Sequence, residues 1–240
     1  RRSDDKHQAR PVPTSAQGTL RRSPEAFLAP SVLICEGASE VGFVRGFELF
    51  CVGQGQPSIF ARGVALVDGG GGHPDRLYER GTEFAKLGYR TAVFRDADIT
   101  PTAQVEATFH QLGGGTFTWD AGQSLEAAIF NNVGDATLLA MLDYAIIEHG
   151  QEMVAAHIQS ASGNQETVEN LRALLHSPQH TITPAQRAVL VTASTNKSNP
   201  WFKSVGRMEH VASRILALNF ADVREDFRNR VNALIGWAQA

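Results

Sequence analysis

The pattern of apolar and polar positions divides the chain into parts of different character. Residues 1–24 are mostly polar and lack hydrophobic periodicity, so we expect a linker or tail there. Residues 25–132 alternate short apolar, β-branched runs with amphipathic stretches, which predicts strands and helices in turn. Residues 133–240 show helical periodicity throughout. The sequence therefore predicts an α/β domain followed by a helical region.

Short apolar runs predict the strands of a parallel sheet. They are SVLICEG from Ser31, GVALVD from Gly63, YRTAVFRD from Tyr89 and FTWD from Phe117. The helices predicted between them begin near Ser39, extend from Pro74 to Leu87 and cover residues 101–112. Strands that alternate with helices form parallel sheets with right-handed crossovers. We therefore expect a Rossmann-like sheet.

Helical periodicity dominates the chain after Gly122. The predicted helices cover residues 124–131, 134–160, 165–176, 184–193, 204–219 and 221–238. A polar stretch ending at Pro200 separates the last two from the others.

Composition and charge limit the possible partners. The chain has 22 Lys and Arg against 25 Asp and Glu, a formal net charge of −3. DNA-binding domains are often basic, so any nucleic-acid surface here must be local, or bound metal ions must offset the acids. Arg45, Arg95 and Arg207 are candidates for contacts with a DNA backbone.

Cysteine usage and hydropathy predict a cytoplasmic protein with no membrane segment. Cys35 and Cys51 stand in apolar surroundings without disulfide or zinc spacing, which indicates buried free thiols. No apolar run reaches membrane-spanning length, and no signal peptide opens the chain. Because the sequence starts without Met, we expect a fragment of a longer protein.

Carboxylates follow the predicted strands at the points where the strands end. Glu36 ends the first strand, Asp68 the second, and Asp96 and Asp98 the third. In open parallel sheets, binding sites collect at the carboxyl ends of the strands. Glu40 follows Glu36 by about one helical turn, so its side chain can point back towards the strand ends.

Converging carboxylates without basic neighbours repel one another, and hard cations relieve that repulsion. Mg²⁺ and Mn²⁺ prefer oxygen ligands, and two such ions about 3.5–4 Å apart can cleave a phosphodiester. The alternative is that each acid caps a helix or lies in a solvated loop. Asp68 in particular either binds metal or positions the glycine loop that follows it.

The segments ICEGASEVGF, residues 34–43, and VFRDADIT, residues 93–100, resemble the Toprim domain. That module has an apolar strand ending in Glu-Gly and a later strand ending in Asp-x-Asp. The second acid in GASE, the VDGGGG segment, the trailing helices and WFKSVGRMEHVASRIL are most similar to the OLD (overcoming lysogenization defect) family of nucleases. The resemblance covers roughly residues 30–220.

The resemblance implies a metal-dependent DNA endonuclease that uses Mg²⁺ or Mn²⁺ in a two-ion mechanism. By position, the implied metal ligands are Glu36, Glu40, Asp96, Asp98 and Glu126, and the implied catalytic residues are Lys203 and Glu36. In the OLD family this module follows an ATPase domain, which is absent from this fragment, and the full-length protein can be an oligomer. GGGGHP lacks the Lys-Ser/Thr of a P-loop.

Several alternatives remain open on the sequence alone. Lys197 competes with Lys203 for the catalytic role, although Trp201 and Phe202 favour Lys203 because they can anchor it. Glu126 can simply belong to a helix that Ser124 caps. A primase-like nucleotidyl transferase would use the same acids. A non-catalytic Toprim module that binds DNA or protein is a third possibility.

Overall fold

A four-stranded parallel sheet in the order β4–β3–β5–β6 forms the centre of the protein. The computed structural model describes residues 2–3, 6–7, 14–177 and 179–240. The strands are β1 (Arg2–Ser3), β2 (Lys6–His7), β3 (Ser31–Cys35), β4 (Val64–Asp68), β5 (Arg90–Phe94) and β6 (Gly115–Phe117). The first two form a separate short antiparallel pair.

Helices surround this sheet and make up the second half of the chain. They are α1 (Thr14–Arg22), α2 (Ala38–Gly53), α3 (Asp75–Lys86), α4 (Ala103–Gln111), α5 (Leu125–Asn132), α6 (Asp135–His149), α7 (Gln151–Ser162), α8 (Val168–His176), α9 (Pro184–Ser194), α10 (Val205–His210) and α11 (Glu225–Gln239). A 3-10 helix covers Pro24–Phe27, and a π-helix, Val211–Leu216, and a second 3-10 helix, Ala217–Asp222, follow α10. The predicted α/β class is confirmed.

Alternation along the central strands creates two cores, one on each face of the sheet. Leu33 and Cys35 point into the core shared with the helical region, while Val32 and Ile34 point into a smaller core. Successive side chains of a strand face opposite sides, and β3 is buried on both. The helical region predicted for residues 133–240 therefore shares a core with the sheet.

Several predicted boundaries were wrong. Residues 14–22, which we assigned to a linker, form α1, and this helix contacts α3. The single helix predicted over residues 134–160 is interrupted at Gly150, whose φ of 83° a continuous helix cannot contain. The last strand is Gly115–Phe117 rather than FTWD. The rest of the predicted linker, at residues 1, 4–5 and 8–13, lies outside the described residues.

Two glycines let α2 approach α10 and the π-helix very closely. A Cβ atom on Gly42 would lie 2.4 Å from the Val205 carbonyl oxygen, and one on Gly46 would lie 2.5 Å from the Ala212 Cβ. Such distances are far below van der Waals contact, so the approach depends on glycine at both positions. This packing positions the loop that precedes α10.

The described part of the chain contains no helix that is both long and apolar enough to cross a membrane.

Replacing Gly46 by Ala should destabilise the fold. The added methyl would overlap Ala212 and the Glu209 carbonyl oxygen, and overpacking of this kind costs about 1–3 kcal/mol. Urea unfolding measures the change in free energy.

Gly53→Ala is the matched control, because it adds the same methyl to the same helix with nothing within 4 Å. We expect this control to be neutral or to stabilise by less than about 1 kcal/mol. Equal free energies of unfolding for the two variants would contradict the close-packing interpretation.

Candidate metal centre

The ends of β3 and β5 bring Glu36 and Asp96 together. The Glu36 amide continues the strand pairing by donating to the Phe94 carbonyl oxygen at 2.9 Å. The Asp96 amide in turn donates to Glu36 Oε2 at 3.0 Å. Backbone pairing between the two strands thus positions Glu36, and the Asp96 amide orients its carboxylate. Asp96 itself lies two residues after the end of the neighbouring strand, β5.

Asp96 is held at the N-terminus of α5. Its Oδ1 accepts the Leu125 amide at 2.7 Å, where the helix dipole favours negative charge. The next residue, Ala97, is paired with the loop before α5, since its amide donates to the Gln123 carbonyl oxygen at 2.8 Å. The Asp-x-Asp segment is therefore fixed at Asp96 and at Ala97.

Glu36, Asp96 and Asp98 each offer a carboxylate oxygen within 4.8 Å of the others. Opposite ligands of one hard cation lie about 4–5 Å apart, twice a metal–oxygen bond of 2.0–2.6 Å. Glu36 and Asp96 are partly buried, whereas Asp98 is exposed. The donor set and spacing fit a divalent cation that is open to solvent on one side.

Two further carboxyl groups lie behind this group in the protein interior. Glu40 and Glu126 are each only 2% exposed. Glu40 Oε2 accepts the Gly37 amide at 2.9 Å, and its Oε1 accepts the Ser39 hydroxyl at 3.1 Å. Glu126 Oε1 has no hydrogen-bond partner among the described residues, which is an unfavourable state for a buried polar atom. An unpaired buried carboxylate oxygen of this kind is suited to bind a cation.

Burial and the charges of neighbouring carboxylates raise the pKa values of Glu36, Glu40 and Asp96. Burial is the main cause that raises the pKa of Glu40 to about 7, and the charge of Glu126 adds to it. Burial also raises the pKa of Asp96 to about 9, with further contributions from Glu40, Glu126 and Glu36. The pKa of Glu36 is raised by burial as well. The acids are thus close enough to control one another's ionisation.

Lys203 lies beside this centre, on the loop between α9 and α10. The preceding Trp201 and Phe202 are fully buried, and Phe202 stacks on Tyr144 with ring centroids 6.1 Å apart. The Lys203 side chain itself is exposed. Its charge is one of those that lower the pKa of Glu36 against the effect of burial. The aromatic pair therefore anchors a solvent-accessible ammonium group near the acids.

Lys197, the rival candidate, is exposed earlier in the same loop. It lies within a turn where the Ser198 amide donates to Asn196 Oδ1 at 3.0 Å. Its neighbours are polar and provide no buried anchor of the kind that Trp201 provides for Lys203.

Asp68 positions the glycine loop. Its Oδ1 accepts the Gly70 amide at 2.8 Å, and it does not belong to the carboxylate group around Glu36. Of the two roles predicted for Asp68, metal ligand or support of the glycine loop, the structure favours support of the loop.

The arginines proposed from sequence as DNA contacts are engaged within the protein. Arg45 pairs with Glu209 at 2.8 Å, and Arg207 pairs with Glu148 at 3.1 Å. Arg95 is buried, and its guanidinium donates to the Tyr78 hydroxyl at 2.9 Å and to the Asp96 carbonyl oxygen at 2.6 Å. Arg95 thus supports the loop that carries the aspartates.

Sequence analysis missed the supports of Glu40. We predicted that helix α2 begins near Ser39, but Gly37 is its N-cap and the Ser39 hydroxyl donates to Glu40. The signal was present in GASE, because a glutamate three residues after an N-cap commonly accepts that residue's amide. The same spacing explains why Glu40 is rigidly placed.

Comparisons with protein-family models, with curated proteins and with solved structures find no match for this chain.

The metal-free protein should lose stability as pH rises from about 5 to about 9. Unfolded carboxyls ionise near pH 4, whereas the pKa values of Glu40 and Asp96 in the folded state are about 7 and about 9. The unfolded state therefore binds fewer protons across this range, so the free energy of unfolding falls with pH. Urea unfolding in the presence of a chelator measures this slope.

Glu40→Gln should make that slope shallower, because it removes one buried ionisation and lessens the repulsion on Asp96. Glu152→Gln, at an exposed position of α7, is the control and should keep the wild-type slope. Added Mn²⁺ should stabilise wild type more at high pH than at low pH, since ionised carboxylates bind it. A slope that is the same in wild type and Glu40→Gln would refute the buried-charge interpretation.

Proposed function

We propose that this chain is the Toprim catalytic region of a metal-dependent DNA endonuclease of the OLD type. The observation that carries the proposal is the convergence of Glu36, Asp96 and Asp98 oxygens within 4.8 Å, with Lys203 close enough to lower the pKa of Glu36. A cluster of acids with one accessible cation is the arrangement expected for phosphodiester hydrolysis.

Glu36, Asp96 and Asp98 would hold a Mg²⁺ or Mn²⁺ ion. Glu40 and Glu126, which are buried behind them, would support a second ion. When bound, the ions supply an activated water and stabilise charge on the leaving oxygen of the phosphodiester. The protein supplies preorganisation, since backbone amides already orient Glu36 and Asp96 before any ligand enters.

Lys203 would act on the substrate rather than on the metal. Its ammonium group is exposed while the two preceding aromatic residues are buried, so it can donate to a phosphate oxygen without losing its position. A fixed positive charge next to the scissile phosphate stabilises the negative charge that develops in the transition state. We assign it this role in preference to Lys197.

The resemblance to OLD proteins implies that an ATPase domain precedes this region in the full-length protein. We include that domain, DNA as the substrate and an oligomeric full-length protein in the proposal. The acidic net charge of −3 is compatible with a DNA substrate provided that bound cations and a local basic surface offset it.

Asp98→Ala and Lys203→Ala should each reduce cleavage of supercoiled plasmid DNA in Mn²⁺ by about 100-fold or more. They should differ in metal binding. Asp98→Ala should weaken Mn²⁺ binding by about 10–100-fold, whereas Lys203→Ala should leave it unchanged or slightly stronger. Gel assays of plasmid relaxation and isothermal titration calorimetry measure the two quantities.

Lys197→Ala and Asp222→Ala are the matched controls, because both residues are exposed and have no role in the proposed mechanism. Both variants should cleave as wild type does. Plasmid cleavage at wild-type rates by Asp98→Ala and Lys203→Ala would sink the nuclease proposal. Incorporation of labelled nucleotides into primers by wild type, without plasmid cleavage, would favour the primase-like alternative.

A further inference from the structure

A group of arginines surrounds the glycine loop that follows β4. We call Arg22, Arg76 and Arg80 the arginine cluster and Gly69–Gly72 the glycine loop. Arg22 ends α1, whereas Arg76 and Arg80 lie one turn apart on α3. Two helices that are distant in sequence thus present cations to the same loop.

Distances place the guanidinium groups directly against the loop. A Cβ atom on Gly70 would lie 3.6 Å from Arg22 Nη1, and one on Gly72 would lie 3.9 Å from Arg76 Nη1. Arg80 Nη1 donates to the Asp68 carbonyl oxygen at 3.3 Å, at the start of the loop. The guanidinium groups of Arg22 and Arg76 thus lie beside the glycine loop, which contributes no side chains of its own.

The arginine cluster has no ion-pair partner among the residues that the structure describes, although the charge of Asp68 acts on Arg80. In the described part of the chain, Arg22, Arg76 and Arg80 form no ion pair within 4.0 Å. The nearby Asp68 carboxylate already accepts the Gly70 amide.

Burial lowers the pKa of Arg80, and repulsion within the cluster lowers it further. After burial, the charge of Arg22 is the next cause that lowers the pKa of Arg80, and the charge of Asp68 opposes it. Like charges held close together without counter-ions favour the binding of an anion.

The glycine loop is tied to the strand that carries the metal ligand Glu36. The Gly69 amide donates to the Cys35 carbonyl oxygen at 2.8 Å, and the Gly71 amide donates to the Glu36 carbonyl oxygen, also at 2.8 Å. Gly71 has a φ of 70°, which is favourable for glycine and rarely adopted by other residues. The loop and the arginines around it therefore lie at the same edge of the sheet as the metal centre.

The sheet order determines the side from which the arginines approach. In the order β4–β3–β5–β6, Glu36 follows the inner strand β3, Asp96 and Asp98 follow β5, and the glycine loop follows β4. The arginine cluster and the two aspartates consequently flank Glu36 on opposite sides.

We propose that the arginine cluster binds a backbone phosphate of the nucleic-acid substrate, adjacent to the scissile phosphate and on the β4 side of the metal centre. This inference rests on the nuclease proposal and specifies how an acidic chain holds a polyanion. Guanidinium groups recognise phosphate oxygens with paired hydrogen bonds, and such contacts position the strand without reading its sequence.

Binding of a fluorescent DNA duplex, measured by anisotropy with Ca²⁺ present, tests the inference at several salt concentrations. Arg22→Gln and Arg76→Gln should each weaken binding and reduce the slope of log affinity against log salt by about 1, the value expected for one lost phosphate contact. Arg76→Lys, which keeps the charge, should restore most of the slope. Thermal unfolding checks that each variant remains folded.

Arg62→Gln is the matched control. Arg62 is exposed just before β4, at the opposite edge of the sheet, where it donates to the Gln239 carbonyl oxygen. The DNA affinity of Arg62→Gln should depend on salt concentration in the same way as that of wild type. Wild-type slopes for both Arg22→Gln and Arg76→Gln, or an equal loss for Arg62→Gln, would overturn the proposal.

A duplex with a single methylphosphonate linkage, scanned along one strand, locates the contact. One uncharged linkage near the cleavage site should weaken wild-type binding and have no further effect on Arg76→Gln. If wild type cuts plasmid but no linkage affects wild type more than Arg76→Gln, the phosphate-binding role of the arginine cluster is refuted and the nuclease proposal stands. If wild type neither binds nor cuts DNA, the nuclease proposal fails and the inference fails with it.

Discussion

Repulsion among carboxyl groups at the carboxyl end of the sheet is the constraint on which this structure depends. Glu40 and Glu126 are buried near Glu36 and Asp96. Burial is the main cause that raises the pKa of Asp96 to about 9, and the charges of Glu40 and Glu126 add to it. Backbone amides from Gly37 and Leu125 compensate part of that cost. The remaining repulsion is relieved when the carboxylates bind protons or a divalent cation, and these two compete for the same oxygens. A site built this way binds metal more tightly as pH rises.

Helix α2 connects this constraint to the helical half of the chain. Its first turn carries Glu40, and Gly42 and Gly46 then admit α10 at a distance that any side chain would prevent. Lys203 precedes α10, so its distance from the acids depends on the same helix contact. The placement of the buried acid and that of the exposed lysine are therefore coupled through one rigid element. A change in the packing of α2 would therefore shift both Glu40 and Lys203.

The distribution of charge bears on the proposal that a chain with a net charge of −3 binds a polyanion. Acids occupy the middle of the sheet edge, where a cation would neutralise them. Arg22, Arg76 and Arg80 stand on the β4 side of Glu36 without acidic partners in the described residues, while Arg45 and Arg207 are used in internal ion pairs. Total charge is thus a poor guide here, because the local pairing of each cation decides whether it is available.

The sequence by itself determined the α/β class, the strands that carry Glu36 and Asp96, and the buried anchor beside Lys203, because these follow from local apolar periodicity and from short motifs. It failed at Thr14–Arg22 and at Gly150, where a polar helix docks on α3 and one glycine with positive φ divides a periodic segment. Only the tertiary structure decided which carboxylates share a site and which arginines remain unpaired. Those properties depend on contacts between residues far apart in the chain, and on burial, which no local pattern of residues encodes.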